Sequence, residues 1–70
     1  MSVVKIIELV GSSRESSDDA VKQALNEANS TLRNIRAVDV VSTGLRGEGL
    51  DEWRAHVRVA FVIERVSESA

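Results

Sequence analysis

Residues 53–63 read Trp53-Arg54-Ala55-His56-Val57-Arg58-Val59-Ala60-Phe61-Val62-Ile63, and their alternation decides the fold. Trp53, Ala55, Val57, Val59, Phe61 and Ile63 fall on one side of an extended chain, which makes a β-strand with a wholly apolar face. The other face opens with Arg54, His56 and Arg58 and closes with Ala60 and Val62. It is neither plain solvent surface nor plain core, so the strand is expected to meet a second partner on that side.

Working outward, Val3 to Val10 is rich in β-branched residues and halts at Gly11, the pattern of a first strand. Ile7 and Leu9 share one face, and Val4, Ile6, Glu8 and Val10 share the other. A polar stretch follows with two overlapping helix starts, Ser12 with Glu15 and Ser16 with Asp19, each a serine followed three residues later by an acid. Val21, Leu25, Ala28 and Leu32 then recur at helical spacing, with Ala20 and Ala24 beside them, predicting one amphipathic helix of about four or five turns that ends near Asn34. Ile35 to Leu45 reads as a second strand with Val38 and Val40 toward the helix and Ala37, Asp39 and Val41 away from it. Arg46-Gly47-Glu48-Gly49 supplies a turn in which both glycines can take positive φ.

The expected order is therefore strand, helix, strand, strand: an α+β fold with a three-stranded antiparallel sheet wrapped around one helix, as a single domain over 1–70 with a frayed tail at Ser67–Ala70. One helix covers one face of a sheet. Ile6, Val10, Ala37, Val41, Ala60 and Val62 would then be wet in a monomer, an exposed apolar patch of the kind that marks an interaction surface. A chain of 70 residues makes a marginal core, and with no Cys and one His it has neither disulfides nor a zinc cluster to reinforce it. Oligomerisation is the remaining route.

Composition excludes several functions. A net charge of −2 argues against a general nucleic-acid binder, and no apolar segment is long enough to span a bilayer. The opening residues are interrupted by Lys5 and Glu8, unlike a signal peptide, and the lack of cysteine fits a reducing compartment, so a cytoplasmic protein is expected. One His and no Cys cannot assemble a nucleophile, a base and an orienting acid, so no catalytic residues and no enzyme are expected. The doublets Asp18-Asp19 and Asp51-Glu52 lack the spacing of a calcium loop, and no metal ligands are assigned.

The opening Val-Val-Lys-Ile-Ile-Glu-Leu-Val-Gly-Ser-Ser, the helix after a serine-rich turn, Thr31-Leu32-Arg33-Asn34-Ile35 leading into the second strand, and the closing Val-Arg-Val-Ala-Phe-Val-Ile together resemble the dodecins over almost the whole chain. The resemblance implies a β-α-β-β protomer assembling into a hollow homododecamer. It further implies storage or buffering of a small molecule, with flavin as the family ligand and calcium in a smaller group. In the flavin-binding members a Trp early in the second strand stacks on the isoalloxazine ring, and aligned from Thr31-Leu32-Arg33 that position is Ala37. A Gln that hydrogen-bonds the flavin edge becomes Arg54, which offers donors only. Asp39 stands where those proteins carry a Glu. The expected ligand face, near subunit junctions, is thus Ala37, Asp39, Arg54 and His56, with flavin bound weakly; Asp39 is expected across the ladder from Arg54 or His56, and Trp53 in the core. The alternative reading is a structural homo-oligomer, or a cation-binding variant with no flavin role.

Overall fold

The computed structural model describes residues 2–64; the expected tail at Ser67–Ala70 lies outside them. Strand β1 spans Ser2–Ser13, helix α1 Ser17–Thr31, strand β2 Ile35–Arg46 and strand β3 Glu52–Glu64. The sheet order is β1-β3-β2 with both pairings antiparallel. The strand that decided the fold therefore sits in the middle and is flanked on both sides.

Of the two helix starts written in the sequence, the second is used. Ser16 is the N-cap, its hydroxyl accepting from the Asp19 backbone N–H at 3.0 Å. The first candidate is absorbed into β1, which runs three residues past the expected Val10 to Ser13, where the Ser13 hydroxyl donates to Asp19 Oδ2 at 2.6 Å. At the other end Leu32 caps the helix by donating to the Ala28 carbonyl at 2.8 Å. Asn34 then turns the chain with φ 60°, a left-handed conformation that Asn tolerates better than most residues. In the β2–β3 turn Gly47 takes φ 95° as expected, but the second left-handed residue is Leu50, φ 52°, rather than Gly49. The Leu50 N–H closes the turn onto the Gly47 carbonyl at 3.1 Å, with Glu48 and Gly49 as its central residues.

The core is made of small residues. Ala20, Ala24 and Ala28, one helical turn apart, pack against Ala55, Val57 and Val59 of β3, and all six are buried. The larger Val21 and Leu32, expected at the centre of the stripe, flank this seam, and Leu25 is half-buried. An alanine seam allows a close approach between helix and sheet, and Gly11 extends it onto β1. A Cβ built at Gly11 would fall 2.1 Å from the Ala20 carbonyl oxygen and 2.9 Å from the Ala24 nitrogen. Trp53 packs at the edge of this core, half-buried on the helix side as its alternation implied.

Helix α1 is short for its sheet. Its 15 residues span about 22 Å, whereas the strands of 12 and 13 residues run about 40 Å. The helix also lies over β1 and β3 more than over β2. Val40 illustrates the result: it shares the helix side, opposite buried Val57, yet is 51% exposed because the helix does not reach it.

We predict that Gly11→Ala destabilises the protein by about 1–3 kcal/mol, the usual cost of overpacking a tight contact, because the added methyl meets helix backbone rather than a movable side chain. Denaturant unfolding followed by circular dichroism checks this; an unchanged midpoint would show that helix and strand are not in close contact at this point.

Candidate ligand-binding site

Two irregularities in β2 shape the outer face of the sheet. The β2–β3 ladder runs Arg46↔Glu52, Leu45↔Trp53, Gly44↔Arg54, Thr43↔Ala55 and Ser42↔His56, then skips Val41 and resumes with Val40↔Val57, Asp39↔Arg58, Val38↔Val59 and Ala37↔Ala60. A second shift lies between Ala37 and Ile35. Each skipped residue reverses the side on which its successors stand. Before the bulge at Val41 the even-numbered residues Val38 and Val40 share the helix side. Beyond it the odd-numbered Thr43 and Leu45 do, and Ser42, Gly44 and Arg46 move to the outer face, opposite His56, Arg54 and Glu52.

That reversal builds a cleft. It has a volume of about 210 Å³ and is lined by Val10 from β1, Ser42, Thr43, Gly44 and Arg46 from β2, and Arg54 and His56 from β3. Of the four expected site residues, Arg54 and His56 line it together. Ala37 and Asp39 share the outer face but stand farther along β2 and do not line it. Between the partners of Ala37 and Gly44 on β3, Ala60 and Arg54, lie six residue steps, about 20 Å of strand.

The expected pairing of Asp39 with Arg54 or His56 is not what forms. Asp39 stands opposite Arg58, and the carboxylate that engages the outer-face cations is Glu8. Glu8 lies directly across from Arg58 on the β1–β3 ladder and diagonally from His56, within reach of long side chains. Its Oε1 lies 2.8 Å from His56 Nε2 and its Oε2 accepts from Arg58 Nη2 at 3.4 Å. An ionised carboxylate only accepts, so His56 Nε2 carries the hydrogen of that bond. The hydrogen bond from His56, and then that from Arg58, hold the Glu8 carboxyl below its ordinary value. Sequence reading noted Glu8 as the one charge on an apolar strand face without giving it a role; the signal was there, but its use required knowing that β1 pairs with β3.

The rest of the outer face is apolar and open. Val4, Ile6 and Val10 are 59%, 56% and 61% exposed, and Val41, left without a cross-strand partner in the bulge, is 45% exposed. Glu52 reaches toward Arg54 Nε at 3.6 Å, too long for a hydrogen bond. Among the described residues no cluster of three metal-ligating side chains forms, and no helix is long and apolar enough to cross a membrane.

A family model described as Dodecin matches residues 3–64. The chain belongs to the dodecin family. A Thermus thermophilus protein of known structure is 34% identical, with 94% of this chain and 100% of that chain covered and a TM-score of 0.82. A dodecin from Streptomyces davaonensis is 26% identical over 91% of this chain and 97% of its own, also with a TM-score of 0.82. The calcium dodecin of Mycobacterium tuberculosis, described as a calcium-chelating antigen with a novel calcium-binding site, shares the fold at 18% identity, with 94% of each chain covered and a TM-score of 0.68. No curated protein matches the chain significantly. The β-α-β-β order and antiparallel sheet around one helix expected of a dodecin are those observed.

Because the folded state lowers the proton affinity of Glu8, this carboxylate contributes stability that is present above its unfolded-chain value of about 4.3 and is lost as pH falls through the lower folded value. Wild type is therefore expected to melt above Glu8→Gln at pH 7, with the gap closing on acidification below about pH 4. A gap independent of pH in calorimetric scans would exclude the ion pairs as its source.

Proposed function

We propose that this dodecin is a non-enzymatic, small-molecule-binding or storage protein of the cytoplasm, in which the whole chain forms one unit and twelve copies close into a hollow homododecamer. The observation that carries this reading is the open outer face of the sheet, where exposed Val4, Ile6 and Val10 adjoin a polar cleft. Taking about 25 cal/mol for each Å² of apolar surface, a few hundred Å² left in water forgoes several kcal/mol, comparable with the stability of a small domain. Association through this face recovers that term and places the cleft at the junctions.

Flavin, the family ligand, is expected to bind weakly. Ala37 supplies no aromatic platform and Arg54 no acceptor for a pyrimidine edge. Ala37 and Arg54 of one protomer are also too far apart along the sheet to touch one ring, so a flavin would lie between outer faces of different copies. A second reading, a structural oligomer with no flavin role, is favoured by the Glu8 contacts: His56 and Arg58 already have an internal partner and need no ligand to neutralise them. Calcium binding of the kind described for the Mycobacterium tuberculosis relative would belong to this second class.

Assembly is tested with Val62→Asp, which puts a carboxylate among the outer-face apolar residues, where burial without a partner is costly. Light scattering should give a dodecamer for wild type and small species for the variant; a monomeric wild type or a fully assembled variant would overturn the proposed assembly face. Ligand choice is tested by riboflavin titration with fluorescence quenching. Ala37→Trp with Arg54→Gln should tighten binding by roughly ten- to hundredfold, the worth of a stacking platform. Tight binding by wild type would contradict the weak-flavin reading, and failure of the double variant to gain would favour the structural oligomer.

A further inference from the structure

We propose that the β2–β3 hairpin is a docking arm, whose apolar and acidic end seats head-to-tail on the opposite, basic end of a second copy of the chain. The inference rests on the assembly reading above and adds to it a second contact surface, separate from the outer face of the sheet.

The protomer is long for its size. Its radius of gyration is 15.1 Å and it measures 57 × 19 × 15 Å, whereas a compact chain of this length has a radius of about 11 Å. The extra length is sheet that α1 does not reach, so the helix side is bare toward both ends. Toward the hairpin, Val40 and Leu45 are exposed, although Leu45 stands opposite Trp53 on the helix side. At the far end Val3 stands opposite Ile63, on the side of the sheet that carries Ile7 and Leu9, and is 52% exposed. The turn itself adds an apolar knob. Leu50 holds a left-handed φ of 52° and is 60% exposed, next to Gly49, which could take that conformation without strain. A strained residue that also leaves a large apolar side chain in water is costly twice over in a lone protomer, and such strain points to a function. Burial of Leu50 against a neighbour offsets that cost.

Charge selects the arrangement. Residues 47–51 carry Glu48 and Asp51 and no base, whereas Lys5, Arg33 and Arg36 gather at the far end beside one acid, Glu64. Lys5 lies there because it pairs with Phe61, and Arg33 and Arg36 because they bracket Ile35, which pairs with the same residue. All three bases and both hairpin acids are exposed, and none has an ion-pair partner among the described residues. Two hairpin ends brought together would repel, and a hairpin end placed on a far end attracts. Symmetry requires a contact of this kind. Contact between like patches stops at two copies, and head-to-tail contact alone gives a ring or a filament, so a hollow shell needs two different contacts. The outer face and the hairpin supply them.

Sedimentation velocity on the full-length protein tests the docking. Wild type is expected as the twelve-copy species. Leu50→Asp should replace it with species of a few copies, and so should reversal of the hairpin charge by Glu48→Lys with Asp51→Lys. Adding Arg33→Glu and Arg36→Glu to the reversed hairpin should restore the large species, which a merely structural role for the turn would not produce. Asp accepts a left-handed φ more readily than Leu, so Leu50→Asp keeps the fold while removing the knob. A fully assembled Leu50→Asp or reversed-hairpin variant, or a restoring pair without effect, would overturn the docking. Val62→Asp acts on the outer face and separates the two readings: if it alone breaks the assembly, the outer-face contact stands and the hairpin contact falls, whereas a monomeric wild type removes both.

Discussion

A helix of about 22 Å lying against strands of about 40 Å is the constraint on which the rest of this molecule depends. One such helix can bury one face of the sheet, and only the middle of that face. The alanine seam and Gly11 show how the limited contact is made close: where Gly11 faces Ala20 and Ala24, helix and strand backbones approach until no Cβ could be admitted at Gly11. The contact is dense but small. What remains apolar on the outer face, including Val4, Ile6 and Val10, has no cover among the described residues, and the proposed assembly follows from that deficit.

The outer face also carries the polar chemistry, and the two are joined by the bulge at Val41. A regular strand would turn Ser42, Gly44 and Arg46 to the helix side, away from the cations of β3. Skipping Val41 turns them outward to meet His56, Arg54 and Glu52. A single unpaired residue thus separates a plain apolar face from one with a cleft lined by basic side chains. Bulges sharpen local twist as well as parity, and this one lies in the strand that the helix covers least, where the backbone is freest to depart from regular pairing.

Glu8 links the two halves of the face. It is the lone charge on the outer side of β1 and holds both His56 and Arg58 of β3. Exposed ion pairs are screened by solvent and contribute little, so the role of Glu8 in holding the fold is minor. Its consequence is positional: His56 is oriented and Arg58 is neutralised, while Arg54 has its own carboxylate neighbour in Glu52. Family membership fixes the fold in which this happens, and Ala37 and Arg54 both stand on its outer face, one apolar and one cationic.

The sequence by itself determined the elements and their faces. Period-two alternation in Trp53 to Ile63 and the three- to four-residue recurrence in α1 are local patterns, set by backbone geometry, and both survive intact in the structure. The helix start at Ser16 was legible for the same reason, since a cap reaches only three residues. That Ala37 and Arg54 face away from the helix could also be read from alternation. Tertiary structure alone decided what depends on pairing. That Glu8 rather than Asp39 meets His56 follows from β3 lying between β1 and β2, an order that no single strand encodes. That Ser42, Gly44 and Arg46 join Arg54 in a cleft follows from the bulge, which alternation cannot reveal because the skipped Val41 is as good a strand former as its neighbours. Strand faces are local properties of the chain; register is a property of two strands together, and the cleft is built from register.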